Sequence, residues 1–285
     1  MTQRAAATGD PERLADGVWR LSLPSDTLPP YRTTDLYLVV GADQGVLVDP
    51  GFRDPEDAAQ IETLMGRAGV RDLKAVVLTH THQDHVAGLP ALFERIGPRP
   101  VYVGAAEAAH VPNADTVVPL AGERSLMVGG RVVRAVPTPG HAPGHLAFHL
   151  DDVNGVLCGD LLTAQGASWV GLPDGDVAAY LSSLDRVRAL RPAWLAPAHG
   201  TDPGPPEAAL ERARAHRIAR ERDVLEALDR PRMLNDLVDV VYPRLPKSST
   251  PLLRASVLAH LVKLMRETRV MHLGEDPEGP YATQA

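Results

Sequence analysis

A short polar turn after an apolar strand constrains this chain more than any other feature. The turn reads Thr79-His80-Thr81-His82-Gln83-Asp84-His85 and follows the apolar stretch 75–78 directly. On an extended segment residues i and i+2 face the same way, so His80 and His82 can offer imidazole nitrogens to one cation. Asp84 and His85 fall where the chain turns into a helix, and they face a neighbouring position. We therefore expect one peptide to supply ligands for two metal ions.

Three further candidate ligands occur beside glycines at the ends of other predicted strands. They are His141 in Pro139-Gly140-His141, Asp160 in Cys158-Gly159-Asp160, and His199 in Ala198-His199-Gly200. Glycine permits the tight turns that bring a backbone close to an ion. Because each candidate follows or ends a strand, we expect all three to gather with the histidine-rich turn at one rim of the sheets.

Strands alternate with helices along most of the chain, which predicts a layered α/β domain. Strands are expected at 18–23, 35–40, 45–48, 75–78, 101–103, near 117, and at 125–128, 132–136, 146–150, 155–158 and 194–196, with helices at 55–68, 84–96 and 177–190. The Pro- and Gly-rich stretch 200–206 suits a linker. Beyond it, helices at 207–228, 235–241 and 250–267 and a hairpin at 270–282 describe a winged-helix-like module.

Taken together, these motifs resemble the metallo-β-lactamase superfamily over about residues 14–204. The resemblance implies an αββα sandwich with a one- or two-metal site at the sheet edge. Residues 217–279 are similar to the winged-helix-like region of the LACTB2-like (beta-lactamase-like protein 2) branch, as is the His141-Ala142-Pro143-Gly144-His145 spacing. We expect a catalytic domain at 1–204 and a small, mainly α, winged-helix-like domain at 205–285.

The resemblance also assigns the metal ligands by position. His80, His82 and His141 resemble the ligands of a first metal, Asp84, His85 and His199 those of a second, and Asp160 the bridging carboxylate. All are nitrogen or oxygen ligands, which suit zinc but also iron or manganese, and of these we favour two zinc ions. The family's true zinc β-lactamases include a cysteine ligand, so antibiotic hydrolysis is disfavoured. The Asp84-His85 pair likewise differs from the oxygen-reducing di-iron members, which favours hydrolysis over redox chemistry.

Two cations roughly 3.5–4 Å apart lower the pKa of a shared water toward about 7, so hydroxide becomes available at neutral pH to attack an ester-type bond. Asp84 is the candidate catalytic residue that orients this water and accepts its proton. His145 is the candidate proton donor to the leaving group, or else a histidine that orients the substrate or hydrogen-bonds a ligand. Asp49 is either an orienting partner of the metal histidines or a plain turn aspartate.

Charge and cysteine content bound the partners and the compartment. The net charge of -7 disfavours a chain-wide nucleic-acid surface, although residues 212–269 carry 13 Lys or Arg against 7 Asp or Glu. The single cysteine, Cys158, excludes an internal disulfide and suits a reducing compartment. No apolar run approaches the roughly 18–20 residues that cross a bilayer, and the charged start is unlike a secretory signal. We expect a cytoplasmic protein with no membrane partner.

Two substrate classes stay open, because both suit the same metal pair. The LACTB2-like resemblance implies a single-strand-selective endoribonuclease, and close relatives act as thioesterases, so the substrate is single-stranded RNA or a small ester or thioester. The basic stretch could track phosphates, but its arginines alternate with acids and only 4% of residues are aromatic. The alternative is a metal-dependent DNA-binding regulator or sensor with a vestigial hydrolase domain, which the complete ligand set disfavours. The oligomeric state stays open.

Overall fold

The computed structural model describes residues 9–244, 250–275 and 278–284. The start of the chain at 1–8, Lys247 and the tip of the predicted C-terminal hairpin lie outside these residues. The strands are β1 Glu12–Ala15, β2 Val18–Pro24, β3 Thr33–Gly41, β4 Gln44–Val48, β5 Asp72–Val77, β6 Val101–Gly104, β7 Val117–Leu120, β8 Arg124–Val128, β9 Arg131–Pro137, β10 Leu146–Leu150, β11 Gly155–Gly159, β12 Trp194–Pro197, β13 Val270–His272 and β14 Tyr281–Thr283.

Strands β1 to β7 pair in chain order into one sheet, and a second sheet has the order β12-β11-β10-β9-β8. The helices are α1 Ala58–Ala68, α2 Gln83–Val86, α3 Leu89–Ile96, α4 Val177–Ala189, α5 Pro206–Glu226, α6 Leu234–Val241 and α7 Thr250–Arg266. Short 3₁₀ helices cover Pro55–Asp57 and Ala105–His110.

Alternate residues of the central strands face opposite layers, as the two-residue period of a strand requires. In β3, Leu36 and Leu38 pack with α1 and α3, whereas Tyr37 and Val39 face the second sheet. In the second sheet Cys158 faces α4 instead, and it is fully buried. The layers therefore run helix, sheet, sheet, helix, and the expected αββα sandwich is confirmed.

Three elements differ from the sequence prediction. Strand β1 and the 3₁₀ helix Ala105–His110 are not predicted, and the helix expected at 84–96 is two helices, α2 and α3, which meet at Gly88. A Cβ atom at Gly88 would lie 2.3 Å from the Phe52 ring, so the backbone there lies against that side chain. Pro90 lies in the first turn of α3, where its missing N–H and fixed φ are tolerated.

The C-terminal helices α6 and α7 and the β13–β14 hairpin enclose a core of their own, which confirms the small winged-helix-like unit. Helix α5 belongs to both cores. Its Ala209 and Leu210 pack into the layer of α4, whereas Val224 packs with α6 and α7. Apolar packing is therefore continuous across the predicted boundary between residues 204 and 205. Among the described residues, no helix is long and apolar enough to cross a membrane.

Candidate metal centre

All seven predicted ligands meet at one edge of the sandwich. They come from the segment after β5 (His80 and His82), from α2 (Asp84 and His85), and from the loops that follow β9, β11 and β12 (His141, Asp160 and His199). His80 and His85 are fully buried, and His141, Asp160 and His199 are at most 8% exposed. The rim predicted from strand ends is therefore where the structure places these side chains.

Three histidines form a first cluster, which we call the histidine cluster: His80, His82 and His141. The Nδ1 atom of His82 lies 2.9 Å from Nε2 of His80 and 2.9 Å from Nε2 of His141, and those two Nε2 atoms lie 3.2 Å apart. Three ring nitrogens at such distances repel one another unless a proton or a cation lies between them.

The outer nitrogens fix which ring atoms of the histidine cluster carry protons. Thr79 Oγ1 donates its one hydrogen to Asp49 Oδ2 at 2.6 Å, so it accepts from Nδ1 of His80 at 3.0 Å. Nδ1 of His141 donates to the carbonyl of Trp169 at 2.7 Å. Burial lowers the pKa of both histidines, to about 4 for His141, and their neutral Nε2 atoms therefore present lone pairs to each other.

Asp84, His85 and His199 form a second cluster, which we call the carboxylate cluster. Nε2 of His199 lies 3.3 Å from Asp84 Oδ2, and Nε2 of His85 lies 4.0 Å from Asp84 Oδ1. Asp160 lies between the two clusters. Its Oδ1 is 3.3 Å from His199 Nε2 and 3.5 Å from His85 Nε2, whereas its Oδ2 is 3.5 Å from His141 Nε2.

Outer acceptors also orient the rings of the carboxylate cluster. Nδ1 of His85 donates to Asp49 Oδ2 at 2.9 Å, and Nδ1 of His199 donates to the carbonyl of Thr33 at 3.1 Å. On the inner side, Nε2 of His85 and Oδ1 of Asp160 are buried without a hydrogen-bond partner among the described residues. Buried nitrogen and oxygen atoms that carry lone pairs, lack hydrogen-bond partners and face one another fit a bound cation.

The electrostatics of the carboxylate cluster run opposite to those of the histidine cluster. Burial lowers the pKa of His85, but the carboxylates of Asp49 and Asp160 outweigh burial and raise it well above its usual value. Burial likewise opposes protonation of His199, yet Asp160 and Asp84 raise the pKa of that ring to about 10. Without a metal, protons therefore occupy the positions that a cation would take.

Close backbone packing holds Asp84 at this edge. A Cβ atom at Gly51 would lie 1.6 Å from the carbonyl oxygen of Asp84, so only glycine lets the two segments approach this closely. The same carbonyl accepts a hydrogen bond from Thr34 Oγ1 at 2.8 Å. Asp49, two residues before Gly51, adopts a φ of +50° and is 2% exposed, and its contacts to Thr79 and His85 are those of an orienting residue.

His145 uses both of its ring nitrogens inside the protein. Nδ1 lies 2.8 Å from Thr138 Oγ1, and Nε2 accepts the backbone N–H of Asp160 at 3.1 Å. The side chain is 1% exposed, and burial together with the neighbouring His141 lowers its pKa well below the usual value. This geometry orients Asp160 and leaves no ring proton directed at a substrate.

Sequence reasoning missed two partners of the ligand loops. Glu107 is 4% exposed, and its carboxylate accepts the N–H and the hydroxyl of Thr81 and the N–H of Gly144. It thereby ties the loop of His80 and His82 to the loop that follows His141. Asp174 Oδ2 lies 3.5 Å from Nε2 of His82. Neither acid lies in a motif, so nothing in the sequence distinguishes either from a surface carboxylate.

Aromatic side chains flank the two ends of the centre. The Tyr31 ring stacks on His199 with centroids 5.7 Å apart, and the Trp169 ring meets His141 edge-on at 6.3 Å. Leu28, on the loop that carries Tyr31, is 46% exposed, and Leu252, whose carbonyl accepts from Trp169 Nε1, is 37% exposed. The surroundings of the site are thus partly apolar.

An αββα sandwich with five histidines and two aspartates converging at its edge defines a metallohydrolase architecture. The family model of the metallo-beta-lactamase superfamily matches residues 30–199, and that of the beta-lactamase associated winged helix domain matches residues 234–278. The chain belongs to the metallo-β-lactamase superfamily.

Similar proteins agree with this assignment. The "beta-lactamase-like protein 2 homolog" of Drosophila melanogaster is 27% identical over 90% of this chain and 91% of its own length. The "atrochrysone carboxyl ACP thioesterase" of Aspergillus fumigatus is 30% identical over 76% of this chain, but the match spans only 49% of that protein. A metallo-beta-lactamase family protein from Thermus thermophilus has a crystal structure with a TM-score of 0.80 and 27% identity, covering 95% of this chain and all of that one. These matches confirm the expected LACTB2-like resemblance and the assignment of the chain as a hydrolase of this superfamily.

Proposed function

We propose that this chain hydrolyses an acyl thioester or similar small ester, using two divalent cations held at the rim. When bound, such a pair of cations would lower the pKa of a water molecule and polarise the substrate carbonyl. In this proposal the histidine cluster holds one cation, the carboxylate cluster holds the other, and Asp160 joins them. Zinc is favoured because most of the donors are imidazole nitrogens, and iron or manganese are the alternatives.

Asp84 is proposed to orient the attacking water. Burial raises the pKa of its carboxyl, but the hydrogen bond from His199 and the charge of His85 outweigh burial and lower it to about 2. The carboxylate is therefore ionised at neutral pH, and its side chain is 15% exposed, so solvent reaches it. An ionised carboxylate that solvent reaches accepts a hydrogen bond from the attacking water and holds that water in position.

The observation that carries the choice of substrate is the state of His145. Both of its nitrogens are committed to Thr138 and Asp160, so the proton donor suggested by the sequence is not directed at a leaving group. A thiol has a pKa of about 8.5 and departs as a thiolate without full protonation. The alkoxide released from RNA is far more basic and depends on an acid. This difference supports a thioester over a phosphodiester, and we propose His145 as a positioning residue.

Pairing of the basic residues also weighs against an RNA-binding role. In the basic stretch 212–269, ion pairs engage Arg214, Arg220, Arg222, Arg232, Arg254, Lys263, Arg266 and Arg269. Cations already paired with carboxylates gain less from phosphates. The partly apolar surroundings of the centre, in contrast, suit an acyl chain, and one relative is named as a thioesterase.

The proposal includes a cytoplasmic location. The single cysteine, Cys158, is a buried free thiol, so the fold does not depend on a disulfide and is compatible with a reducing environment. A role as a DNA-binding regulator is not favoured, because the ligand side chains converge instead of diverging as they would in a decayed site.

A substrate panel tests the proposal. The zinc-loaded protein is incubated with an acyl-N-acetylcysteamine thioester, the matching oxygen ester and a labelled single-stranded RNA. We expect thioester turnover roughly a hundredfold above that of the oxygen ester, the order of magnitude of one missing acid catalyst, and intact RNA. RNA cleavage with an inert thioester would overturn the proposal. Duplex-DNA binding by an inactive chain would instead support the regulator.

A further inference from the structure

The segment between β11 and α4, residues 160–176, begins with one proposed ligand, Asp160, and contacts two others. The Trp169 carbonyl accepts Nδ1–H of His141 at 2.7 Å, and Asp174 Oδ2 lies 3.5 Å from Nε2 of His82. Ser168 donates its hydroxyl to the backbone carbonyl of Asp160. The position of this segment therefore affects the orientation of two rings of the histidine cluster and of the residue that joins both clusters.

The C-terminal helices hold the same segment from the other side. The N–H of Leu172 donates to the carbonyl of Ala255 at 3.1 Å, and Nε1 of Trp169 donates to the carbonyl of Leu252 at 3.3 Å; both acceptors lie on α7. From α5, Nη2 of Arg217 donates to the carbonyl of Ser168 at 2.9 Å. The segment thus lies between the metal centre and the winged-helix-like unit.

Arg217 is an unusual residue for this position. It is 4% exposed, its guanidinium carbon lies 5.9 Å from the Tyr180 ring, and its Nε has no hydrogen-bond partner among the described residues. None of the described carboxylates forms an ion pair with it. Burial of a guanidinium without a carboxylate costs free energy that an apolar side chain of similar length would avoid. Its directed polar contact with this segment is the hydrogen bond to Ser168.

We propose that Arg217 is a positioning residue that fixes the 160–176 segment, so that the C-terminal helices set the geometry of the proposed metal centre. The inference rests on the proposed metal ligands but not on the substrate. In this role the C-terminal unit supports the metal centre for any substrate, whereas a phosphate-binding surface would serve RNA alone. Because α5 packs into both cores, point variants test this role and a truncation does not.

The experiment compares Arg217→Met with Arg217→Lys and with Arg222→Met in the full chain. Arg222 is a matched control on the same helix, because its side chain is 69% exposed and its ion-pair partner among the described residues is Glu226 of α5. Zinc affinity is measured by competition with a chromophoric chelator, and backbone hydrogen exchange of residues 163–176 is followed in the metal-free proteins. We expect Arg217→Met to weaken zinc binding about tenfold and to speed exchange in the segment, whereas Arg222→Met changes neither.

Arg217→Lys keeps the charge and one donor, so we expect a loss of zinc affinity smaller than that of Arg217→Met. This variant also keeps the test decisive if Arg217→Met does not fold. A merely structural role would lower the melting temperatures of metal-free and zinc-loaded protein equally and leave the affinity unchanged, and this result would overturn the inference. If the unmodified protein binds no zinc, the proposed metal centre fails instead.

Discussion

The two clusters of the metal centre are built from one peptide, yet they have opposite electrostatics. The extended part, His80 to His82, joins His141 in a group of imidazoles in which burial holds the pKa of His80 and His141 low. Three residues after His82, α2 places His85 against Asp49 and Asp160, which raise the pKa of that ring. The backbone conformation thus decides which neighbours each ligand meets, and the neighbours decide whether a proton competes with the cation.

The largest expected effect comes from removing the residue common to both clusters. We expect Asp160→Asn to reduce kcat/KM at least about a thousandfold, because metal activation of water and carbonyl contributes several kcal/mol. Bound metal, measured by elemental analysis after dialysis, should fall as well. Cys158→Ala is the control, since Cys158 is buried in the same sheet and its side chain faces α4. Full activity of Asp160→Asn would show that the two clusters work without Asp160 to join them, and it would contradict the role assigned to this residue.

A paired substitution tests whether the clusters bind separately. His82→Ala should remove one cation and leave the carboxylate cluster filled, whereas His199→Ala should do the reverse, because each ring serves one cluster. Both variants should retain about one metal per chain and lose most turnover. Native mass spectrometry counts the metals. Loss of both cations from either variant would show that the clusters bind as one unit.

The pH dependence of metal binding should distinguish the clusters further. In the metal-free protein His85 and His199 hold protons at pH 7, because the pKa of each is raised, to about 10 for His199. A cation entering there displaces two protons, so affinity should fall by up to about a hundredfold for each unit of acidification. The pKa of His80 and of His141 is lowered, to about 4 for His141, so neither ring has a proton to release, and binding to the histidine cluster should depend less steeply on pH between 7 and 6. Titration calorimetry at pH 7 and pH 6 measures the metal affinity of each cluster. An equal loss of affinity in the two clusters would contradict the comparison.

The smallest of these effects concerns Asp49. Asp49→Asn keeps the shape of the side chain but weakens the acceptor of Nδ1–H of His85, so we expect metal affinity of the carboxylate cluster to fall roughly 10- to 100-fold. The histidine cluster should lose less, since among the described residues Thr79 connects Asp49 to His80. Stepwise zinc titration resolves the two affinities. If the zinc affinity of the carboxylate cluster is unchanged in Asp49→Asn, Asp49 is a plain turn residue and the orienting role is wrong.

The convergence of the seven side chains at one rim could be predicted from the sequence because the candidates lie at strand ends. Strand and helix periodicity predicted a layered α/β domain, and the family resemblance implied its αββα arrangement, but β1 and the break between α2 and α3 were not predicted. The outer partners could not be predicted. Trp169 and Thr33 act through backbone carbonyls, which every residue carries, so no residue type marks them. Arg217 looked like part of a solvated charged helix, because α5 buries different faces in two cores.

The central claim is that seven rim side chains hold a pair of divalent cations. Anomalous diffraction from crystals of zinc-loaded protein, collected above and below the zinc edge, tests it most directly. The account predicts two peaks, one among His80, His82 and His141 and one among Asp84, His85 and His199, with Asp160 between them. No anomalous peak at the rim of fully loaded protein, or zinc bound only elsewhere, would contradict it.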